Sequence, residues 1–531
     1  MTTTSLTVLR IPKLRMERSL VDMLLRAIGT NCSLRDLSLH FCVISDASQS
    51  CRDEFADFLK NDCCLTTLEI YGDGPHSERC LAFVLDCLVS NRTLTEVALK
   101  SFRFDQASAE LVPKVVAENS VLRALNLTDL RARISREIFD SWLPAFMKNE
   151  TLEEITLPLG IYELDQWQNF LRTLTGKKRM RKVAIETRVN GQTNLKTLYG
   201  ELRQYGVVDM VFLEPVIVRD SLDMLDCEAI REVHVSSYGG QPSVPLWKTI
   251  HLFSSLSHIT SVSLVISEDD LDSRLSSTIA DYIQTSSTLK KIHFSSCSTW
   301  SRLRRGEHHW KAIFESLSKN SSIKEVSVNL RSLSCEEMDS LAYAVLLSQS
   351  IRTCDFVLGR ELEWFVRKLG DNIANNYSIT NASLWAGQDG QDDLGQSEDA
   401  THESWFAVMD TARRNASLVS RAAQLLSGRR CDRCCFSALE HVYQHRPLLE
   451  RLAEVMSFSV SDTVSMVREA LRSVQDMHGF MRVAGVVRDR VVCLPSQDGH
   501  MQLDNLNEHC WSLVRRFLLL DDVLIDSATS S

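Results

Sequence analysis

The feature that most constrains this chain is a short apolar pattern that keeps returning: an apolar residue, then apolar residues three and five positions later. It stands as "LRDLSL" from Leu34, "LTTLEI" from Leu65, "LTEVAL" from Leu94, "LRALNL" from Leu122, "LEEITL" from Leu152 and "MRKVAI" from Met180. Successive starts lie 31, 29, 28, 30 and 28 residues apart, and an earlier "LTVLRI" begins at Leu6. The pattern weakens through "VDMVFL" (Val208), "IREVHV" (Ile230), "ITSVSL" (Ile259) and "LKKIHF" (Leu289). It recovers in "IKEVSV" (Ile323), "IRTCDF" (Ile351) and "ITNASL" (Ile379). The 22-residue step from Val208 to Ile230 is the weakest boundary.

Within each copy the residues alternate. In "LRDLSLH", Leu37 and Leu39 fall on one side of a strand, and Asp36, Ser38 and His40 on the other. Between copies lie stretches of helical period, among them "RCLAFVLDCLVSN", "EIFDSWLPAFMKN" and "HHWKAIFESLSKN". A strand, a turn, a helix and a second turn fit into about 28 residues, within the range of leucine-rich repeats. One unit cannot bury its apolar side alone, so units must stack with their strands parallel and their helices outside. Because strands pack about 4.8 Å apart and helices about 10 Å apart, the stack is expected to curve into a horseshoe. Helices ending in Asn61, Asn91, Asn149 and Asn320 are expected to close in the left-handed conformation.

The repeat length and "LRDLSLHFCVI" resemble the ribonuclease-inhibitor type of leucine-rich repeat, also found in NLR receptors and F-box proteins. The resemblance spans residues 1–420. The turn position after the strand, where this type carries Asn or Cys, holds Cys42 and Cys297 but also Asp73, Phe102 and Leu130. The fold class expected is therefore α/β: a leucine-rich-repeat solenoid followed by a mainly helical domain over residues 421–531. Residues 388–403, "QDGQDDLGQSEDATHE", read as an exposed acidic loop, and "RRNASL" ending at Leu418 as the last helix before a cap. Beyond it "RVAGVVRDRVVCL" is the one stretch with strand character. "RRNASLVSRAAQLL", "MRVAGVVRDRVVC" and "CWSLVRRFLLLDDV" resemble the C-terminal part of tick leucine-rich-repeat proteins named after NLR proteins, a resemblance that implies no activity. No P-loop with its Gly-rich turn and Lys-Ser/Thr occurs.

Composition narrows the class further. At 531 residues, 44% apolar and 24% charged, the chain is neither a single compact core nor a disordered polymer. It has no uncharged apolar run of about 18 residues, and Arg10, Lys13, Arg15 and Arg18 break up the opening stretch before a signal-type core forms. The expectation is a soluble, cytoplasmic protein, with nuclear entry left open and its 16 cysteines reduced and packed, as Cys80 and Cys87 are within a helical pattern. The Asn-x-Ser/Thr triplets at Asn31, Asn91, Asn149 and Asn415 are then structural. A net charge of −10 gives no reason to expect nucleic-acid or membrane binding by the whole chain.

Four motifs invite a chemical reading. "CDRCC" (Cys431, Cys434, Cys435) is half a zinc site that Cys493, His500, His509 or Cys510 would have to complete, and packing between helices is favoured. "KKRMRK" at residues 177–182 is a basic cluster whose Met180 falls on the apolar repeat position. "SEDDLDSR" from Ser267 lacks EF-hand spacing and is assigned to a helix start. "RGEHHW" from Arg305 contains no His-Glu-x-x-His, and no Gly-x-Ser-x-Gly turn occurs, so no catalytic residue, metal or cofactor is expected.

What is left is the polar side of the strands. Its outward positions carry Asp36, Glu69, Glu96, Glu154, Glu186, Glu232, Glu325 and Asp355 against Lys100, Lys182 and Lys291, with His40 and Tyr71 adding contact area. An acidic concave face predicts a protein partner with basic patches. A ubiquitin-ligase substrate receptor without a visible F-box, and an enzyme regulator acting on a GTPase or a ribonuclease, are the alternatives that the resemblance implies.

Overall fold

The computed structural model describes residues 6–11, 16–61, 64–74, 78–128, 131–132, 136–158, 164–186, 195–214, 216–218, 222, 225–237, 245–296, 309–330, 332–359, 362–386, 398–493, 503, 506–515 and 517–523. Its strands are β1 (Val8–Ile11), β2 (Asp36–His40), β3 (Thr67–Gly74), β4 (Glu96–Phe104), β5 (Ala124–Thr128), β6 (Arg131–Ala132), β7 (Glu154–Pro158), β8 (Lys182–Glu186), β9 (Val211–Glu214), β10 (Val216–Val218), β11 (Glu232–Ser236), β12 (Ser261–Ile266), β13 (Lys291–Ser296), β14 (Glu325–Leu330), β15 (Thr353–Leu358) and β16 (Asn381–Ala386). The chain divides into two compact units. The first is Met1–Ser236 with Gly240–Pro245 and Ser255–Ser263; the second is Ser237–Gly239, Leu246–Ser254 and Leu264–Ser531, and β12 is shared between them. Both are built from strand–helix repeats of the leucine-rich type.

In the first unit β1, β2, β3, β4, β5, β7, β8 and β9 pair in that order, all parallel, with β6 beside the end of β4. The register is set by the repeat pattern. Leu37 pairs with Leu68, Leu68 with Val97, Val97 with Leu125 and Leu125 with Ile155. A second row runs from Leu39 through Ile70 and Leu99 to Leu127, and every member of both rows is at most 2% exposed. Each such side chain contributes about 1.5 to 3 kcal/mol by leaving water, and a slip of one residue would turn the whole row outward. Helices such as Gln106–Glu118 and Arg136–Lys148 cover the buried side, and Trp142, fully buried, donates its indole N–H to the Ala109 carbonyl at 3.0 Å.

The 22-residue step has a structural counterpart. Among the described residues no helix separates β9 from β11, and Leu213 of β9 makes a single isolated bridge to Ile230, just before β11. β10 pairs with β11 instead of with β9.

In the second unit β13, β14, β15 and β16 pair consecutively and in parallel. Helices Ser273–Thr285, His309–Lys319, Cys335–Leu347 and Leu362–Gly370 pack alongside, and the array meets the long helix Glu398–Leu426. Residue 420 lies within that helix. Beyond it, helices Arg433–Gln444, Arg446–Met456 and Val460–Arg472 follow, with Leu439, Leu448, Leu452 and Val467 buried between them. Arg433 holds the chain end by donating to the carbonyls of Leu520 (2.8 Å) and Val523 (2.6 Å), and Glu440 accepts from the Leu520 N–H at 2.9 Å and from Arg515.

Four expectations are corrected. None of Asn61, Asn91, Asn149 and Asn320 is left-handed: Asn61 is the last residue of helix Gln49–Asn61, and the equivalent Asn119 (φ −79°, ψ 116°) and Asn376 (φ −81°, ψ 124°) are extended. Their reason is a ladder of hydrogen bonds. Asn119 donates to the carbonyls of Leu88 (2.8 Å) and Asn91 (3.1 Å) in the preceding repeat and accepts from the N–H groups of Val121 and Leu122. Asn91, Asn149, Asn320 and Asn376 do the same, so these buried amides satisfy turn groups that would otherwise be orphaned. The glycosylation triplets are thus structural, with Asn91, Asn149 and Asn415 all buried.

"RRNASL" is the second correction. Asn415 sits in the middle of helix Glu398–Leu426 and ends the ladder by donating to the carbonyls of Asn376 (3.0 Å) and Ile379 (2.8 Å), while Arg414 bonds those of Ala374 and Asn376. Third, the described part of "RVAGVVRDRVVCL", up to Cys493, forms no strand: its start closes helix Met477–Val483, Gly485 turns the chain at φ 82°, and Val492 is 81% exposed. Fourth, of the "CDRCC" cysteines Cys435 is buried but Cys431 and Cys434 are exposed. The acidic loop falls largely on residues 388–397, outside those described, and residues from 398 on are helical.

Candidate functional site

The sheet register turns the polar side of the first unit into three rows. The first is Val8, Asp36, Thr67, Glu96, Ala124, Glu154 and Lys182. In the second, Arg10 is followed by Ser38, Glu69, Ala98, Asn126, Thr156 and Ala184. The third begins His40, Tyr71, Lys100 and Thr128. The first row from Asp36 to Lys182, the second row's Arg10 and its stretch from Glu69 to Thr156, and Lys100 border a depression of 390 Å³. Its charged lining is Asp36, Glu69, Glu96 and Glu154 against Arg10, Lys100 and Lys182.

Proximity has already matched some of these charges. Lys100 forms an ion pair with Glu69 and lies 5.2 Å from the centre of the Tyr71 ring. Burial pushes the Glu69 carboxyl up, but hydrogen bonds from Lys100, Tyr71 and Ser38 outweigh it and leave the pKa below its usual value. Tyr71 is pushed up to about 12 by burial and by the Glu69 carboxylate. Asp36 is raised, first by burial and then by Glu69, against the pull of Arg10.

Glu96 and Glu154 differ. Both are exposed, and among the described residues neither has an ion-pair partner. Beside them the side-chain oxygen of Asn126 is buried and accepts no hydrogen bond.

The local backbone that carries Tyr71 and Lys100 is unusual. The pairing of β3 with β4 shifts between Tyr71 and Gly74, and Ser101 takes φ 60°. Gly72 lets the two strands approach there, since a Cβ on it would stand 2.5 Å from the Ser101 carbonyl oxygen.

The other sequence-predicted residues scatter. His40 is buried and its Nδ1 lies 3.0 Å from the Cys42 sulfur. Glu186 is 5% exposed, so it is not part of an accessible face. Glu232 lies on β11, beside His234, whose Nδ1 is 3.0 Å from the Ser263 hydroxyl. In the second unit, Glu325 pairs with Lys291 at 2.7 Å, Asp355 accepts from the Ser383 hydroxyl, and His293 Nδ1 lies 2.9 Å from the Ser327 hydroxyl.

Sequence reasoning missed Arg10 and Asn126. Arg10 was legible as the polar residue between Leu9 and Ile11 in the first copy of the pattern; Asn126 carries no charge to draw attention. For the motifs, Asp272 caps helix Ser273–Thr285 through a 2.7 Å bond from the Leu275 N–H, as "SEDDLDSR" predicted. Among the described residues no group of three or more His, Cys, Asp or Glu could hold a metal ion, and His500 lies outside them. No described helix is long and apolar enough to cross a membrane.

Comparison with known proteins adds little beyond the architecture. No family model matches the chain, and no curated protein matches it. Among solved structures, the leucine-rich repeat-containing protein LegL7 from Legionella pneumophila is similar at 10% identity and a TM-score of 0.30, over 67% of this chain and 94% of that one. The assignment to leucine-rich-repeat architecture therefore rests on the repeat register and ladder described above.

Proposed function

We propose that the chain is a non-enzymatic protein-interaction scaffold whose first unit grips a basic segment of a partner across its open strand face. The observation that carries this reading is the pair of exposed, unmatched carboxylates at Glu96 and Glu154, continued by Asp36 along one register row. These three stand on alternate strands of the sheet, about 9.6 Å apart from one to the next by strand spacing. A polyproline-II segment repeats every three residues, about 9.3 Å. A partner segment in that conformation with Lys or Arg at every third position would meet all three. The resemblance to ribonuclease-inhibitor-type repeats supports a protein partner, and the solenoid over residues 1–420 with a helical domain over 421–531 would then be receptor and accessory part. The ligase-receptor and enzyme-regulator readings have no residue of this face in their favour.

The test is binding of a labelled peptide with Arg at every third position to the full chain at low salt. Glu96→Lys with Glu154→Lys is expected to weaken it by about 100-fold, since two charge contacts turn repulsive. Unchanged affinity in that variant would remove the reading. Glu69→Gln is the poorer probe, because Lys100 already occupies that carboxylate.

A further inference from the structure

The basic run at residues 177–182 begins in the turn between helix Leu164–Leu174 and β8, apart from the open strand face, and ends at Lys182, which opens β8 and belongs to that face. Three of its members have duties in the fold. Lys177 stands three residues before the repeat's first apolar position, where other repeats place Asn149 or Asn320, and it replaces the amide by donating to the carbonyls of Met147 (2.7 Å) and Asn149. Met180 takes the apolar position itself. Arg181 pairs with Glu153 at 3.4 Å.

With those roles assigned, Lys178 and Arg179 are left over, and Arg172 in the last turn of the preceding helix joins them. Arg172, Lys178 and Arg179 are exposed and have no ion-pair partner among the described residues. They border a cleft of 610 Å³ that Met147 and Met180 also line, with Glu150 as the one carboxylate among its lining residues. Met147 is 61% exposed. In a chain of net charge −10, an unmatched cationic rim around accessible thioethers does nothing for stability that neutral residues would not do.

We propose that this cleft is a second binding site, for an acidic peptide segment of a partner in which an apolar side chain is flanked by carboxylates. The apolar side chain would pack on Met147 and Met180, whose flexible thioethers adapt to varied shapes, and the carboxylates would pair with Arg172, Lys178 and Arg179. The volume falls in the usual range for ligand sites, about 300 to 1,000 Å³. Inorganic phosphate would gain nothing from the methionine walls, and a membrane surface favours protruding rather than recessed apolar groups. The same geometry argues against the run serving as an extended import signal, because Lys177 and Met180 are tied into the fold. This site is independent of the strand-face reading.

The experiment is fluorescence anisotropy of a labelled peptide, Glu-Glu-Leu-Asp-Phe-Glu-Asp, titrated with the full chain at low salt. Saturable binding is expected, weakened about tenfold or more by Lys178→Glu with Arg179→Glu, and weakened again when Leu and Phe of the peptide are replaced by Gly. Glu96→Lys, on the strand face, should leave this affinity unchanged. Lys178→Gln with Arg179→Gln should give an intermediate loss with an unaltered circular-dichroism spectrum, which separates lost contacts from lost folding. Absence of saturable binding, indifference to charge reversal, or equal binding of the Gly-substituted peptide would each overturn the proposal. So would displacement of the peptide by millimolar inorganic phosphate, or tighter association with phosphatidylserine vesicles than with the peptide.

Discussion

The polar strand faces of the two units are built from the same register yet end in different states. In the second unit the charges and hydroxyls match one another along each row: Lys291 with Glu325, His293 with Ser327, Ser383 with Asp355. In the first unit the matching stops halfway. Lys100 neutralises Glu69, but Glu96 and Glu154 face water alone. The difference shows that counting acids along a repeat overstates how much charge it offers: strands about 4.8 Å apart let side chains on adjacent repeats pair with each other first, and a partner meets what is left.

The buried rows should not share this difference. Phe356→Ala in the second unit and Leu127→Ala in the first are each expected to cost roughly 2 to 5 kcal/mol in chemical denaturation, both residues being fully buried. A much smaller loss in one of them would break the equivalence of the two arrays. The ladder sharpens the contrast at the next level. Asn119→Ala leaves two carbonyls and two N–H groups without their bonds and should cost about 3 kcal/mol. Ser348→Ala, where the second unit uses a hydroxyl that accepts at 3.2 Å from the N–H groups of Ser350 and Ile351, should cost about 1 kcal/mol. Gly72→Ala should destabilise by about 1 to 3 kcal/mol and disturb Tyr71 and Lys100, seen as changed tyrosine fluorescence, because the added methyl meets backbone rather than a movable side chain.

Charge changes are expected to leave stability within about 0.5 kcal/mol and to act on binding instead. Glu325→Lys, in the second unit, should not alter affinity for the Arg-repeat peptide; a loss comparable to that of the Glu96 and Glu154 reversal would erase the distinction between the faces. The smallest effect is on pH. Asp36 has a raised pKa in the fold, so by itself it favours folding below its unfolded pKa and loses that contribution as pH rises through the folded value; Glu69, lowered, does the reverse. Basic-peptide binding should therefore strengthen about two- to threefold as the pH rises past the ordinary aspartate range and Asp36 ionises above it, with proton release detectable by calorimetry in two buffers. Asp36→Asn should make that slope shallower, leaving the part that comes from the other carboxylates of the face.

The strands, their parallel order and their buried rows were legible in the sequence because period-2 alternation inside a period near 28 leaves one consistent register. The helices after residue 420 and the capping role of Asp272 were legible for similar local reasons. The asparagines were visible but misread, since their partners lie in the preceding repeat, about 30 residues away. "RRNASL" and "RVAGVVRDRVVCL" misled because a local pattern does not say whether a helix continues or whether a second strand is at hand.

For this protein, then, the sequence alone determined which side chains leave water, because burial follows from spacing along the chain. Which polar side chains remain free for another molecule was decided by the tertiary structure. Only the stacking of repeats put Lys100 against Glu69 and Lys177 over the carbonyls of residues 147 and 149, and left Glu96, Glu154, Arg172, Lys178 and Arg179 without a partner among the described residues.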